Sequence, residues 1–202
     1  MPKVAVIDYG VGNLFSIKCS FERAGLNVDV YSEAKRLRDA DALILPGVGN
    51  FKAGAKNIEK IKADLMDLIN EGTPILGICL GMQLLFEGSD ESPDVKGLGL
   101  LEGRVIRLPK NVKIPHMGWN TLKIIRPIIL LDGINEKDYF YFVHSYYAIP
   151  KREHVITAET EYGIRFASVV AQNNIFGVQF HPEKSGKPGE QIIGNFVKLI
   201  KR

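Results

Sequence analysis

The chain contains the segment Ile75-Leu76-Gly77-Ile78-Cys79-Leu80-Gly81, followed directly by Met82-Gln83-Leu84-Leu85-Phe86. The apolar run before Cys79 is typical of a buried strand, and the residues after Cys79 are typical of a helix. Small residues two positions before and after a nucleophile are typical of a sharp strand-to-helix turn. Glycine suits both positions because the turn brings neighbouring backbone close. The segment therefore predicts an α/β fold in which Cys79 lies on a strained turn.

Cys79 is the predicted nucleophile. The turn would place its sulfur at a helix N-terminus, where unpaired N–H groups and the helix dipole favour the thiolate. The alternative is a small buried cysteine that packs between two glycines. The other cysteine, Cys19, lies on a predicted helix without flanking glycines or a preceding strand. We predict that Cys19 is an incidental thiol.

Short apolar runs alternate with helical periodicity in the N-terminal half, which predicts a parallel sheet with helical crossovers. The predicted strands are residues 4–7, 28–31, 42–45 and 75–78. The predicted helices have the apolar stripes Leu14, Ile17, Phe21 and Ala24, with Asn13 as N-cap, and Ile58, Ile61, Leu65 and Leu68.

The C-terminal half has strand patterns with few helices between them. The predicted strands are residues 105–108, 138–143, 155–158, 166–171 and 175–180, and a last helix would bury Ile192, Ile193, Phe196, Val197 and Ile200. We therefore predict an α/β fold with a mostly parallel central sheet flanked by helices, and with an additional antiparallel strand region in the C-terminal half. Because neither a linker nor a repeat interrupts the chain, we expect one domain over residues 1–202.

Composition and charge exclude several classes of function. Hydrophobic residues make up 46% and charged residues 24% of the 202 residues, as in an ordinary soluble globular protein. A net charge of +3 does not indicate binding to nucleic acid or to a membrane surface, and the apolar runs are far shorter than the ~20 residues that span a bilayer. Two cysteines cannot form a disulfide framework, and four histidines without paired spacing do not indicate a metal site. With no signal-peptide pattern at the N-terminus, we expect a cytoplasmic protein without a metal.

His181 and Glu183 are the predicted partners of Cys79. They lie in the segment Gly177-Val178-Gln179-Phe180-His181-Pro182-Glu183, at the end of the last predicted strand. Pro182 favours an extended conformation at His181, and positions i and i+2 of an extended segment face the same side. Glu183 would then orient His181 and stabilise its cation while His181 takes the proton of Cys79. A surface turn after a strand is the alternative.

Attack on a carboxamide also needs hydrogen-bond donors for the developing oxyanion. The backbone N–H of Leu80, directly after the nucleophile, is one predicted donor. The other is predicted at the Val48–Gly49 peptide, in the Gly-rich loop Pro46-Gly47-Val48-Gly49 that follows the third strand. Gln83 lies one helical turn after Cys79 and is predicted to hold a polar group of the substrate. For Gln83 the alternative is an ordinary solvated helix position.

Together, the segments around Gly49, Cys79 and His181 resemble those of the class I (triad) glutamine amidotransferases. Further segments narrow the resemblance: Asp8-Tyr9-Gly10-Val11-Gly12-Asn13, Pro115-His116-Met117-Gly118-Trp119-Asn120, Tyr141-Phe142-Val143-His144-Ser145-Tyr146, and residues 177–185. In this combination they are similar to a branch of that family, the glutaminase subunits of imidazole glycerol phosphate synthases. The resemblance runs from Val4 to the C-terminus and is weakest at residues 121–137 and 150–162.

The resemblance implies an activity and a partner. Cys79 would attack the side-chain amide of glutamine and release ammonia, with His181 and Glu183 completing the triad and without a cofactor. The residues that would hold glutamine are Gly49, Gln83, Ser145 and Tyr146. The ammonia would pass to a separate cyclase subunit, a (β/α)₈ barrel, which forms imidazole glycerol phosphate and an aminoimidazole carboxamide ribotide. Four positions match those that this family places at the subunit interface: Asn13, Trp119, Tyr141 and Lys184. The alternatives are a buried core position for Trp119 and a solvated charge for Lys184.

Three other functions fit parts of this sequence. The glutaminase subunit of another synthase, for pyridoxal phosphate, anthranilate or guanylate, would share the triad segments but lack residues 8–13 and 115–120 in these forms. A non-catalytic interaction protein on the same fold would have lost a triad residue, and none is lost here. A stand-alone cysteine hydrolase such as a peptidase would need no barrel partner.

Overall fold

The computed structural model describes residues 1–200; residues 201 and 202, the last two of the predicted domain, lie outside the described residues. The strands are β1 (Lys3–Ile7), β2 (Asn27–Tyr31), β3 (Ala42–Leu45), β4 (Ile75–Ile78), β5 (Phe86–Ser89), β6 (Ser92–Lys96), β7 (Leu101–Arg107), β8 (His116–Thr121), β9 (Lys123–Ile124), β10 (Tyr139–His144), β11 (Tyr146–Pro150), β12 (Ile156–Glu161), β13 (Arg165–Gln172) and β14 (Ile175–Val178). The α-helices are α1 (Leu14–Arg23), α2 (Ala34–Leu37), α3 (Phe51–Ile58), α4 (Lys62–Asn70), α5 (Leu80–Leu84) and α6 (Gly186–Ile200). Short 3₁₀ turns occupy Glu59–Ile61, Ile129–Leu131, Glu153–Val155 and Pro182–Lys184.

The central sheet has eight strands in the order β2-β1-β3-β4-β14-β13-β12-β9. The strands from β2 to β14 are parallel to their neighbours. The strands β13, β12 and β9 continue the same sheet in antiparallel pairing. Parallel strands covered on both faces are apolar throughout, and β3 and β4 are accordingly buried at every position. The predicted mostly parallel sheet with an antiparallel region is confirmed.

Two smaller sheets are formed by the remaining strands. One has the order β11-β7-β5-β6, and the other is a two-stranded antiparallel ribbon of β8 and β10. We call the second sheet the ribbon. The sequence patterns predicted β10 and part of β7 but missed β5, β6, β8, β9 and β11. Strand β6 contains proline and aspartate and β8 contains glycine and asparagine, residues that strands generally disfavour.

Helices cover both faces of the central sheet. On one face α1 packs against α6, where the rings of Phe21 and Phe196 meet edge to face at 6.4 Å. On the other face α3, α4 and α5 contribute Phe51, Leu65 and Leu84 to a second core. Successive residues of β1 alternate between these two cores, because Val6 belongs to the first and Ile7 to the second. The carboxyl ends of β3, β4 and β14 are thereby held together at one edge of a rigid sheet.

The predicted helices are present, but Ile200 at the end of α6 is only partly buried. The stripe of Ile58, Ile61, Leu65 and Leu68 is buried as predicted, but a 3₁₀ turn divides it between α3 and α4. Asn13 caps α1 as predicted, since its side chain accepts a hydrogen bond from the Ser16 N–H. Among residues 1–200, no helix has both the length and the apolar character needed to cross a bilayer.

Candidate active site

Cys79 lies on the turn between β4 and α5 with a backbone φ of 53°. A positive φ is uncommon for a residue other than glycine, and such strain is concentrated at functional sites. The flanking glycines allow this turn: a Cβ at Gly77 would lie 2.7 Å from the backbone N of Met82, and one at Gly81 would overlap the carbonyl of Leu45. The turn has the predicted form, and Cys79 is only 5% exposed.

His181 and Glu183 meet directly after β14. The Nδ1 atom of His181 lies 2.8 Å from Oε1 of Glu183, and the two side chains are almost completely buried. His181 has the predicted extended backbone, but Glu183 lies in the 3₁₀ turn Pro182–Lys184 rather than in an extended segment. The predicted contact is therefore present, whereas the predicted local geometry at Glu183 was wrong because the chain turns at once after Pro182. Bonding to the carboxylate holds a proton on Nδ1 and leaves Nε2 for a second partner.

Hydrogen bonds to β10 fix the turn formed by residues 181–185. The His181 N–H donates to the Tyr141 carbonyl at 2.9 Å, and the Tyr141 N–H donates to Oγ of Ser185 at 3.0 Å. The Ser185 hydroxyl donates in turn to the His181 carbonyl at 2.6 Å. The position of His181 therefore depends on the ribbon as well as on β14.

The surroundings of His181 favour its charged form. Burial by itself lowers the pKa of this histidine, but the adjacent Cys79 and Glu183 raise it, and the resulting pKa is about 10. The Cys79 sulfur acts on His181 without a hydrogen bond of good geometry, since Nε2 is buried and has no such partner among the described residues. An imidazole held in this way beside a thiol can take and return a proton.

A pocket of about 360 Å³ opens at Cys79. Its lining includes every residue predicted for the oxyanion hole or for the substrate, namely Val48, Gly49, Leu80, Gln83, Ser145 and Tyr146. This volume is near the lower limit for small-molecule sites. The pocket therefore suits a ligand about as large as an amino acid.

One of the predicted oxyanion donors is engaged within the protein. The Leu80 N–H donates a long hydrogen bond, of 3.4 Å, to the Gly47 carbonyl. Gly49 has a φ of 116°, which favours glycine, and a Cβ there would meet nothing within 4 Å. Tyr9, which the sequence patterns did not single out, donates its buried hydroxyl to the Pro46 carbonyl. The loop is thus anchored at Pro46 and has open surroundings at Gly49.

The amide of Gln83 is oriented by two neighbours. Its Nε2 donates to the Tyr146 carbonyl at 2.9 Å and to Oε1 of Gln179 at 3.1 Å. Both amide protons are therefore used, and Oε1 of Gln83 accepts no hydrogen bond from the described residues. Gln83 is 5% exposed, which excludes an ordinary solvated helix position.

The sequence patterns missed two side chains of this site, Gln179 and Glu91. Gln179 is fully buried, and its Nε2 lies 3.7 Å from Sγ of Cys79. Its position two residues before His181 was a usable signal, because alternate residues of a strand face the same side. Glu91 lines the pocket from the turn between β5 and β6, and no local pattern indicates that placement.

Three of the four residues predicted for a partner interface, Asn13, Trp119 and Lys184, are exposed, and the fourth, Tyr141, is half-buried. Trp119 on β8 is 57% exposed and Met117, two residues before it, is 63% exposed. The ring of Trp119 meets that of Tyr141 edge to face at 5.8 Å, and Nζ of Lys184 lies 5.8 Å from the Tyr141 ring centroid. Asn13 is exposed at the start of α1. The alternative of a buried core tryptophan is therefore excluded.

Two further observations bear on the chemistry. Cys19 is a partly buried free thiol on α1. Within the described residues 1–200, no group of three or more histidines, cysteines or carboxylates is arranged to hold a metal ion.

Comparison with known families assigns this arrangement to a class. The profile of the family described as "Glutamine amidotransferase class-I" matches residues 5–199. The chain belongs to this family, and the resemblance noted in its sequence is confirmed.

Individual relatives narrow the class. A protein of Moorella thermoacetica named imidazole glycerol phosphate synthase subunit HisH is 46% identical, over 100% of this chain and 97% of the relative. A protein of Methanothermobacter thermautotrophicus with the same name is 48% identical, over 98% of this chain and 99% of the relative. Among solved structures, PurLQS from Thermotoga maritima is similar with a TM-score of 0.79 and 19% identity, covering 98% of each chain. That last similarity supports the fold alone.

Proposed function

We propose that this chain is the glutaminase subunit of an imidazole glycerol phosphate synthase. It hydrolyses glutamine and delivers ammonia to a cyclase subunit that forms imidazole glycerol phosphate and aminoimidazole carboxamide ribotide in histidine biosynthesis. Family membership and full-length similarity to HisH subunits support this proposal. The observation that carries it is the placing of Cys79, on a strained turn beside a His181–Glu183 pair, at the wall of an amino-acid-sized pocket.

The reaction has two stages with Cys79 as nucleophile. The sulfur attacks the carbon of the glutamine side-chain amide, forming a C–S bond, while His181 takes the thiol proton. His181 then gives that proton to the leaving nitrogen, so the C–N bond breaks and ammonia and a γ-glutamyl thioester result. A water molecule that loses a proton to His181 attacks the thioester, and the thiol regains that proton as glutamate leaves. Glu183 stabilises the imidazolium throughout.

The pocket offers complementary groups to the amino-acid end of glutamine. Glu91 is a carboxylate in the lining, and its Oε2 accepts the Phe51 N–H at 2.6 Å, which fixes its position. We assign to Glu91 the α-ammonium group of glutamine. The free Oε1 of Gln83 and the backbone at Ser145 and Tyr146 complete the contacts.

We expect the free subunit to be a poor glutaminase. The oxyanion needs the N–H groups of Leu80 and Gly49, and the first of these now donates to Gly47. Loss of one such donor costs on the order of 3 kcal/mol in the barrier. The open surroundings of Gly49 allow the Val48–Gly49 peptide to turn when the partner and its ligand bind. Steady-state glutamine hydrolysis, with and without the cyclase and its substrate, tests this expectation, and equal rates would contradict it.

Ammonia transfer explains why a partner is needed. Free ammonia becomes mostly ammonium in neutral water and loses its nucleophilicity, so a path that excludes water is required. We propose that a cyclase with a (β/α)₈ barrel docks on Asn13, Trp119, Tyr141 and Lys184. Among these, Trp119 is an exposed aromatic residue, the type of side chain that typically anchors a protein interface.

The decisive experiment replaces Cys79 by alanine in the complex reconstituted with the cognate cyclase. Glutamine-dependent synthesis should vanish, while synthesis with an added ammonium salt should remain. Cys19→Ala is the matched control and should leave both activities unchanged. Glutamine-dependent turnover that survives Cys79→Ala would refute the nucleophile.

Assays of glutamine hydrolysis and of synthesis with the wild-type chain distinguish the remaining alternative functions. Glutamine hydrolysis without any synthesis by the cyclase would favour another synthase as partner, or a stand-alone hydrolase. Complete absence of hydrolysis in the complex would favour a non-catalytic interaction protein.

A further inference from the structure

Two histidines outside the triad form a buried pair on the ribbon. His116 on β8 and His144 on β10 lie directly opposite each other in the antiparallel register. They are 3% and 5% exposed. The reaction proposed above uses neither ring, yet His144 lines the pocket beside Ser145 and Tyr146.

The donor and the acceptor of each hydrogen bond in the pair are fixed by its neighbours. Nδ1 of His144 lies 2.8 Å from the Tyr146 carbonyl, which can only accept, so this nitrogen carries the proton. Nε2 of His144 must then accept from Nδ1 of His116, at 3.0 Å. Nε2 of His116 in turn faces the amide nitrogen of Asn120, which donates, at 3.4 Å. Both rings are therefore fixed in the Nδ1–H tautomer.

The same carbonyl joins this chain of bonds to the active site. The Tyr146 carbonyl accepts from His144 and also from Gln83, at 2.9 Å. Gln83 donates its other amide proton to Gln179, whose own amide nitrogen lies 3.7 Å from the Cys79 sulfur. An unbroken series of contacts thus connects the ribbon to the glutamine-binding amide and to the nucleophile.

Packing keeps the pair rigid and neutral. The His116 ring stacks on Tyr162 at 4.0 Å and on Phe142 at 4.9 Å. Burial lowers the pKa of His116 to about 4. Burial is also the main cause that lowers the pKa of His144 to about 3, and the nearby His116 and His181 lower it further. Neutral rings with fixed tautomers cannot reverse the direction of the bonds at neutral pH.

We propose that His116 and His144 are positioning residues, which hold the Tyr146 carbonyl and, through it, the Gln83 amide in the orientation that binds glutamine. This inference rests on the proposed function. The pair touches neither the reacting atoms nor the triad through a hydrogen bond, and it acts on substrate binding through the pocket backbone.

Variants in the reconstituted complex test the proposal. His144→Leu removes the donor to Tyr146 and should raise the KM for glutamine about 10-fold, with kcat changed less than threefold. His144→Asn places an amide N–H near the position of Nδ1 and should bring KM back to within about threefold of the wild type. The exposed His154→Asn is the control. A structural role alone would lower the amount of folded protein and the apparent kcat, and would leave KM unchanged; that result would overturn the proposal.

A measurement on the unmutated chain serves if the variants do not fold. Nitrogen NMR of ¹⁵N-labelled imidazoles distinguishes the four histidines of the chain by tautomer and charge. The His116 and His144 signals should show a protonated Nδ1, a bare Nε2 and no titration between pH 5 and 8. An Nε2–H tautomer, or titration near the ordinary value for histidine, would overturn the proposal. Absence of glutaminase activity in the wild-type complex would instead count against the proposed function.

Discussion

Three histidines are buried: His181, which follows β14, and the pair of His116 and His144 on the ribbon. Their pKa values are shifted in opposite directions. Burial lowers the pKa of every one of them. For His181 the effects of Cys79 and Glu183 exceed that of burial, and the pKa rises to about 10. For His116 and His144 burial prevails, and the pKa values fall to about 4 and about 3. The difference lies in two neighbours that only His181 has, the Cys79 sulfur and the Glu183 carboxylate 2.8 Å from the ring.

This contrast separates two uses of the same side chain. A histidine that holds its proton firmly beside a thiol stabilises the ion pair needed for attack. A histidine that stays neutral keeps one tautomer and can direct a series of hydrogen bonds. Histidines of both kinds lie close to one pocket because strand β10 positions them. The Tyr141 carbonyl on β10 accepts the His181 N–H, and His144 lies on the same strand.

Among the variants that test this contrast, Glu183→Gln should have the largest effect, because it removes the carboxylate that, together with Cys79, raises the pKa of His181 above those of the ribbon pair. The amide cannot stabilise the imidazolium, so the pKa of His181 should fall and kcat for glutamine should decrease about 10²- to 10⁴-fold. Steady-state hydrolysis in the complex measures this loss. The exposed Glu190→Gln on α6 is the matched control. A decrease smaller than threefold would mean that the carboxylate does not support catalysis.

The free energy of unfolding should fall both below and above neutral pH, with the ribbon pair responsible on the acid side and His181 on the alkaline side. The pKa values of His116 and His144 are lower in the folded chain than the ordinary 6.5. The unfolded chain therefore binds more protons below pH 6.5, and stability falls on acidification. The raised pKa of His181 stabilises the fold fully below pH 6.5, and this contribution is lost as the pH rises toward about 10.

Urea unfolding at pH 5, 7 and 9 measures both limbs. Both the acid limb, from pH 7 to pH 5, and the alkaline limb, from pH 7 to pH 9, should show a free energy of unfolding lower than at pH 7. The expected decrease is on the order of 2 kcal/mol on each limb, since one pKa unit corresponds to about 1.4 kcal/mol. In the Glu183→Gln variant the alkaline limb should flatten and the acid limb should persist. Equal flattening of both limbs would contradict the separation of the two regions.

The two regions also differ in how far the sequence predicts them. The strands that precede Cys79 and His181, β4 and β14, are buried on both faces, so each is a short apolar run that periodicity detects. The glycines at 77 and 81 and the spacing of His181 and Glu183 indicated the chemistry directly. The 3₁₀ turn at Glu183 differed, because an i, i+2 spacing brings two side chains together in more than one backbone geometry, and Gln179 was the one side chain of this region that the patterns missed.

The ribbon could not be predicted in the same way. Strand β8 has glycine and asparagine among its six residues and is half exposed, so it lacks both an apolar run and strict alternation. His116 and His144 are 28 residues apart and meet only through the register of β8 and β10. Glu91 reaches the pocket from a turn in another sheet. Such placements depend on tertiary pairing, which one local pattern does not encode.

Trp119→Ala should show that the outer face of the ribbon binds the cyclase, whereas the inner face carries the histidine pair. Trp119 and Met117 point outward, whereas His116 and Asn120 belong to the hydrogen-bonded side. Removing an exposed aromatic anchor should weaken binding of the cyclase about 10-fold. Titration of the labelled cyclase measures the Kd, and Ile149→Ala, an exposed apolar residue on β11, is the control. Unchanged affinity would place the docking face elsewhere.

The smallest effect concerns the side-chain contact between the two regions. Nζ of Lys184, in the turn after His181, lies 5.8 Å from the ring centroid of Tyr141 on the ribbon. In a double-mutant cycle of Lys184→Met and Tyr141→Leu, the coupling in unfolding free energy should be about 0.5–1 kcal/mol. A cycle with the exposed Lys187→Met in place of Lys184→Met should give none. Coupling near zero in both cycles would mean that the backbone bonds of His181, Tyr141 and Ser185 hold the turn to the ribbon without help from this cation. A coupling well above 1 kcal/mol would mean that the charge on Lys184 belongs to the electrostatics of the triad, and the contrast between the two histidine sites would then extend to the surface.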